Sequence, residues 1–181
     1  MTSKPRLSKA DWLKTGFAAL AEDGPNALKA EPLARRLKTT KGSFYWHFAD
    51  VPAYQAAMLD VWEAEALTAL TSVIEEEANA AARLRRLGEE VTDYGGEALA
   101  DANPEHAVRA WAKDDPKVAE RVAKVDALRL DLLDGLLRES GISNPDWARL
   151  ILAASVGLKD LPANDDTAPM GSLIDLVMSL R

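Results

Sequence analysis

Cysteine is absent from the 181 residues, which excludes disulfides and thiolate metal sites. Histidine is nearly absent: His47 and His106 are the only two, too few for a structural zinc site. No apolar run approaches the roughly 18 residues of a membrane-spanning helix. The opening MTSKPRLSKADW lacks the apolar stretch of a secretory signal. Alternating strand patterns are missing and β-branched residues are sparse. The sequence also lacks the usual catalytic groupings. There is no G-x-G-x-x-G, no phosphate-loop lysine and no glycine-elbow serine near His106. Glu75–Glu77 is an acidic run of the kind that solvates a helix end. These absences leave an all-α chain that is expected to be cytoplasmic, away from membranes, without cofactor or metal, and not an enzyme.

What is present is unevenly distributed. The formal net charge is -7. Residues 1–50 carry nine Lys/Arg against five Asp/Glu, a net of +4, whereas 51–181 carry thirteen against twenty-four, a net of -11. A basic head on an acidic body hints at a polyanion partner at one end. Four charges are also compatible with an ordinary solvated surface.

Apolar spacing then sets out helices. Trp12, Leu13, Phe17 and Leu20 mark the first, with Ser8 and Asp11 as a capping box and Gly24-Pro25 as its stop. A short second helix runs from Ala30 to Leu37. A third starts after Thr40 and runs through Phe48. Asp50 caps a long fourth helix reaching about Glu77, and a fifth covers Ala80 to Leu99. A short helix carries Val108 and Trp111. Asp115 and Pro116 open the next, which ends at Gly141. Two more are expected, from Asp146 to Leu161 and from Pro169 to Leu180.

The stretch TTKGSFYWHF, residues 39–48, concentrates rings in a chain that is only 6% aromatic. Two short helices about three residues apart suit a helix-turn-helix. Thr39, Thr40, Lys41, Gly42 and Ser43 are the small or polar residues that let a helix start approach DNA. Phe44 and Phe48, four apart, face inward. Tyr45 and His47 can rest on the sugar–phosphate backbone, or pack partly in the core. Arg36 can reach a phosphate from the second helix, or solvate it.

LARRLKTTKGSFYWHFAD resembles the DNA-binding signature of the tetracycline-repressor (TetR) family of bacterial regulators, over roughly Leu7 to Tyr54. Leu33-Ala34 corresponds to the apolar-Ala pair of the family's second helix, and Tyr45–Phe48 to its closing Tyr-x-x-Phe. Val108–Asp126 resembles the ligand-binding half of many members more loosely. Two positions depart from the pattern. Lys38 stands where the turn usually has glycine, which implies a non-glycine residue at positive φ. Val51 stands where a lysine usually opens the fourth helix, which removes one expected phosphate contact.

The resemblance implies a three-helix DNA-binding head, 1–50, on a helical ligand-binding and dimerisation body, 51–181. It implies a homodimer, probing a palindromic double-stranded DNA operator and repressing transcription until a small-molecule effector binds. The rival reading is a helical protein–protein adaptor that does not bind DNA. Met58, Trp62, Tyr94, Trp111 and Leu128 are large residues on helices suited to surround an effector, and each is equally suited to an ordinary core. The helix Pro116–Leu137 is apolar on more than one face, so one side is available to a partner copy. In Asp146–Leu161 the residues Leu150, Ile151, Ala153, Ala154 and Gly157 are small or branched and suit close helix packing, so the two helices are the expected dimer surface.

Overall fold

The computed structural model describes residues 7–90, 104–159, 161 and 168–180. They form helices α1 (Lys9–Asp23), α2 (Ala30–Arg36), α3 (Lys41–Tyr45), α4 (Val51–Glu76), α5 (Ala80–Glu90), α6 (Glu105–Ala112), α7 (Pro116–Glu139), α8 (Asp146–Leu158) and α9 (Pro169–Met178). A single 3-10 turn, Pro25–Ala27, joins α1 to α2. No strand occurs among the described residues, as the missing alternation implies. The part of the fifth expected helix beyond Glu90 lies outside them.

The helix starts follow from local chemistry. The Ser8 hydroxyl accepts from the Asp11 N–H at 3.2 Å, and the Asp11 carboxylate accepts from the Ser8 N–H at 2.7 Å. Both halves of the capping box are therefore closed. Asp50 accepts from the Ala53 N–H at 2.7 Å, and Asp115 from the Lys117 N–H at 2.9 Å. At the end of α7, Gly141 adopts φ 87. The Ile142 N–H then reaches the Leu137 carbonyl at 2.9 Å, closing the last turn. Helices α3, α8 and α9 end two or three residues before their expected limits. At α3 the helical bonding nevertheless continues, since the Phe48 N–H donates to the Phe44 carbonyl at 3.1 Å.

The chain forms two compact units, residues 1–64 with 95–121, and residues 65–94 with 122–181. In the first, α1, α2 and α3 pack around Trp12, Phe17, Leu20, Leu33 and Phe44, all buried. Tyr54, Met58 and Trp62 lie at successive i, i+4 positions of α4 and are fully buried. Helix α6 packs against α1. The Arg121 guanidinium holds Asp60 at 2.8 Å and Glu63 at 2.6 Å. In the second unit α5, α8 and α9 pack on one another. Their core is built on Leu84, Leu87, Leu133, Leu137, Ile151, Ile174 and Val177.

Candidate nucleic-acid interface

Helix α3 has five residues, far short of the roughly 12–15 that a helix needs to persist alone. The rings hold it in place. Phe44 is fully buried, 5.4 Å from Trp12 of α1 and 5.2 Å from Tyr54 of α4, both edge to face. Phe48 lies 5.3 Å from Phe44 and 4.8 Å from Tyr54. Such pairs add about 0.5–1.5 kcal/mol each beyond burial. The Tyr54 hydroxyl donates to the Trp12 carbonyl at 2.8 Å. Burial pushes that phenol well above its ordinary range, so it remains a donor at any physiological pH. Half of the aromatic concentration in residues 39–48 thus anchors α3 between α1 and α4.

The other half points outward. Tyr45 is 47% exposed and Trp46 is 80% exposed. Thr40, Lys41 and Gly42 are also exposed, while Thr39, Ser43 and His47 are half-buried. His47 sits 6.4 Å from Trp12 and 6.4 Å from Phe48, ring to ring. Thr40 occupies the N-cap of α3 but its side chain makes no capping bond, so its hydroxyl is not committed to the helix. A Cβ on Gly42 would meet only Thr40 Oγ1, at 3.8 Å. Nothing within the chain requires glycine there, although glycine costs a helix about 1 kcal/mol relative to alanine.

The α2–α3 turn is a Schellman motif with an unusual residue at its centre. The Thr39 N–H donates to the Ala34 carbonyl at 2.9 Å and the Lys38 N–H to the Arg35 carbonyl at 3.1 Å. Lys38 has φ 52, the one non-glycine residue at positive φ among the described residues. The departure noted in the sequence therefore has the expected backbone consequence.

Arg36, expected to reach a phosphate, closes instead on Glu22 at 2.7 Å and on Asp23. Its hydrogen bonds to the Glu22 carboxylate, and then to that of Asp23, hold the guanidinium above its ordinary range. It would have to give up those partners to reach DNA, and in the chain as folded it fastens α2 to the end of α1. Trp46 was missed by the sequence reading. Its signal is the helical period: with Phe44 and Phe48 inward, position 46 falls on the opposite face. Lys29 was missed too, because it belongs to this surface only through the fold.

The expected effector residues divide between the two units. Met58, Trp62 and Trp111 are buried in the first, and Leu128 belongs to the second and is 40% exposed. Tyr94 lies outside the described residues. The Trp62 indole N–H is buried with no hydrogen-bond partner among the described residues. No group of His, Cys, Asp and Glu among the described residues is arranged to hold a metal. No helix among them is long and apolar enough to cross a membrane.

Comparison with known proteins agrees with this geometry. Residues 13–50 match the family model described as bacterial regulatory proteins, tetR family. No curated protein matches the chain. A transcriptional regulator from Rhodococcus sp. Rha1 superposes with a TM-score of 0.72 at 22% identity, over 96% of this chain and 95% of that one. A TetR-family transcriptional regulator from Streptomyces coelicolor gives 0.65 at 15%, over 96% and 84%. The ketosteroid transcriptional regulator KstR2 of Mycobacterium tuberculosis gives 0.62 at 15%, over 99% and 95%. At such identities these likenesses establish the fold over nearly the whole length. The helix-turn-helix segment, residues 13–50, thus carries the pattern described for bacterial regulatory proteins of the tetR family, on a fold shared with solved transcriptional regulators.

Proposed function

We propose that the protein is a ligand-responsive repressor that binds a palindromic operator as a homodimer. Residues 1–50 read the DNA, and residues 51–181 bind the effector and the partner copy. The observation that carries the DNA reading is the split aromatic segment. Phe44 and Phe48 are spent on anchoring, while Lys41, Tyr45 and Trp46 stand exposed beside a glycine that the fold does not need. Thr39, Thr40, Ser43 and His47 complete the face. A five-residue helix held this firmly presents a fixed edge to a major groove. Gly42 lets the backbone approach the duplex closely.

The deciding experiment measures affinity for duplexes from the region upstream of the protein's own gene, for wild type and Gly42→Ala. Alanine should leave the head folded, or slightly more stable, and weaken binding at least tenfold. Unchanged affinity in a folded variant would remove the close approach. No binding by wild type at any salt concentration would favour the adaptor reading.

The dimer is proposed on α7 and α8. Leu128 and Leu150 are 40% and 51% exposed. On α8 Ala153 and Gly157 share the exposed face with Leu150, at spacings of three and seven. Leu150→Glu should give a monomer by light scattering at tens of micromolar.

The effector is proposed to be a largely apolar molecule with a hydrogen-bond acceptor. An unsatisfied buried donor costs about 1–3 kcal/mol, and the Trp62 N–H has no partner among the described residues. Similarity to a protein named as a ketosteroid regulator is in keeping with that chemistry. Helix α4 is the proposed coupling element, since Tyr54, Met58 and Trp62 follow one another along its buried face. Coupling must be reciprocal, so effector affinity should fall on DNA by the factor by which effector weakens DNA binding. Equal effector affinity for free and DNA-bound protein would reject the switch.

A further inference from the structure

The surface of the head holds a groove of about 430 Å³. Its charged and polar lining is Lys29 from the turn before α2, Glu31 and Arg35 on α2, and Lys41 and Tyr45 on α3. Val51, the first residue of α4, closes one side. Three cations thus face one carboxylate. That carboxylate is already engaged, because Glu31 pairs with Arg35 at 3.5 Å across two largely exposed side chains. Among the described residues, no ion pair or hydrogen bond joins the Lys29 or Lys41 side chain to the protein. Two lysines without a counter-charge on one groove repel each other in the isolated chain. A single anion between them would turn that repulsion into two attractions. Tyr45, half exposed on the same groove, adds a neutral hydroxyl donor beside them.

We propose that this groove seats a backbone phosphate of duplex DNA, and that Lys29 is the positioning residue that holds it together with Lys41. The inference rests on the reading of the head as DNA-binding and adds to it a residue, a place and a chemistry. Val51 brings no charge to the start of α4, so the groove's cations outside the Glu31–Arg35 pair are Lys29 and Lys41. The groove opens between α2 and α3, so a phosphate held there fixes how far α3 enters the major groove. Lys29 would then set register without reading a base. The match is to a backbone phosphate because two lysines and a hydroxyl donor line one groove beside the start of α3, offering charge and hydrogen bonds to a single anion. The apolar edge formed by Pro32 and Val51 suits the sugar that flanks such a phosphate.

A phosphate contact is independent of sequence, so the probe is a random-sequence 24-base-pair duplex. Its binding to the full chain is followed by fluorescence anisotropy between 50 and 200 mM salt. Each lost phosphate contact should reduce the slope of log K against log salt by about 0.9. Per bound subunit, Lys29→Ala should therefore lose about 3.5-fold less affinity than wild type across that salt range. Lys117→Ala, at the exposed start of α7, should keep the wild-type slope. Adding Val51→Lys to Lys29→Ala should restore the slope, because it returns a cation to the same groove.

A Lys29→Ala slope equal to that of wild type would overturn the proposal, as would a folded double variant that fails to recover it. Failure of the DNA reading itself looks different: wild type would then show no salt-dependent binding even at 50 mM. Thermal midpoints of the variants within a few degrees of wild type establish that the head remains folded.

Discussion

Gly16 on α1 is the position where the head should tolerate least change. A Cβ there would lie 1.8 Å from Tyr54 Oη, 2.9 Å from Tyr54 Cζ and 2.8 Å from Met58 Sδ. Non-bonded carbon atoms settle at about 3.5–4.0 Å. Gly16→Ala therefore asks fully buried side chains of α4 to retreat by roughly 1.5–2 Å at the closest point. Overpacking of a core costs about 1–3 kcal/mol, and a displacement this large belongs at the upper end. It also breaks the hydrogen bond from Tyr54 to the Trp12 carbonyl, for about 1 kcal/mol more. Against this, alanine improves the helix by roughly 1 kcal/mol. The net expectation is a loss of about 3 kcal/mol, the first and second terms less the third. Tyr54→Phe alone should cost about 1 kcal/mol. In the double variant the shortest contact no longer exists, so the loss should fall below the sum of the single losses by about 1 kcal/mol or more. Urea unfolding of the four proteins at one protein concentration measures the cycle. A Gly16→Ala variant within about 0.5 kcal/mol of wild type, or strictly additive losses, would refute the packing argument.

Three further outcomes follow from the head. Lys38→Gly should stabilise it by about 1 kcal/mol, since glycine adopts the φ of 52 without a Cβ penalty; an unchanged or lower urea midpoint would show that the Lys38 side chain contributes more than its strain. Arg36→Ala should cost about 0.5–1 kcal/mol, shrinking in high salt, as expected for partly exposed pairs with Glu22 and Asp23; it should leave the salt slope of DNA binding unaltered, and a smaller slope would return Arg36 to the interface. The N–H of Ser8, then its hydroxyl, lowers the Asp11 pKa below the ordinary carboxylate value. A lowered carboxylate stabilises the fold above its unfolded pKa and ceases to do so as pH falls through the folded one. Ser8→Ala should cost about 1 kcal/mol at pH 7; the gap to wild type should narrow below about pH 4, as the hydroxyl's bond to the Asp11 carboxylate is lost, without closing, because the same hydroxyl still accepts from the Asp11 N–H. A gap of the same size at pH 7 and pH 2 would show that the hydroxyl's bond to the carboxylate contributes nothing.

Much of this protein could be read along the chain because the relevant physics is local. Helix class follows from spacing and from the absence of alternating runs, and three of the caps follow from Ser8, Asp50 and Asp115 alone. Gly141 is legible as a helix stop for the same reason, while the positive φ of Lys38 was expected only through the resemblance, whose pattern places glycine in that turn. The inward set Phe44 and Phe48 follows from a separation of four. Residues far apart in sequence are a different matter, and only the tertiary structure decided them. Arg36 looks free until α1 brings Glu22 and Asp23 to it. Gly16 looks like an ordinary weak point in a helix until Tyr54 and Met58 arrive from α4. Trp46 becomes conspicuous once its neighbours are buried, and Lys29 joins Lys41 on one groove only when α2 and α3 pack. Charge pairing and steric contact act over a few ångströms of space, whatever the distance along the chain. A single sequence records which residues are capable of such contacts, and the packing of α1, α2, α3 and α4 selects the ones that form.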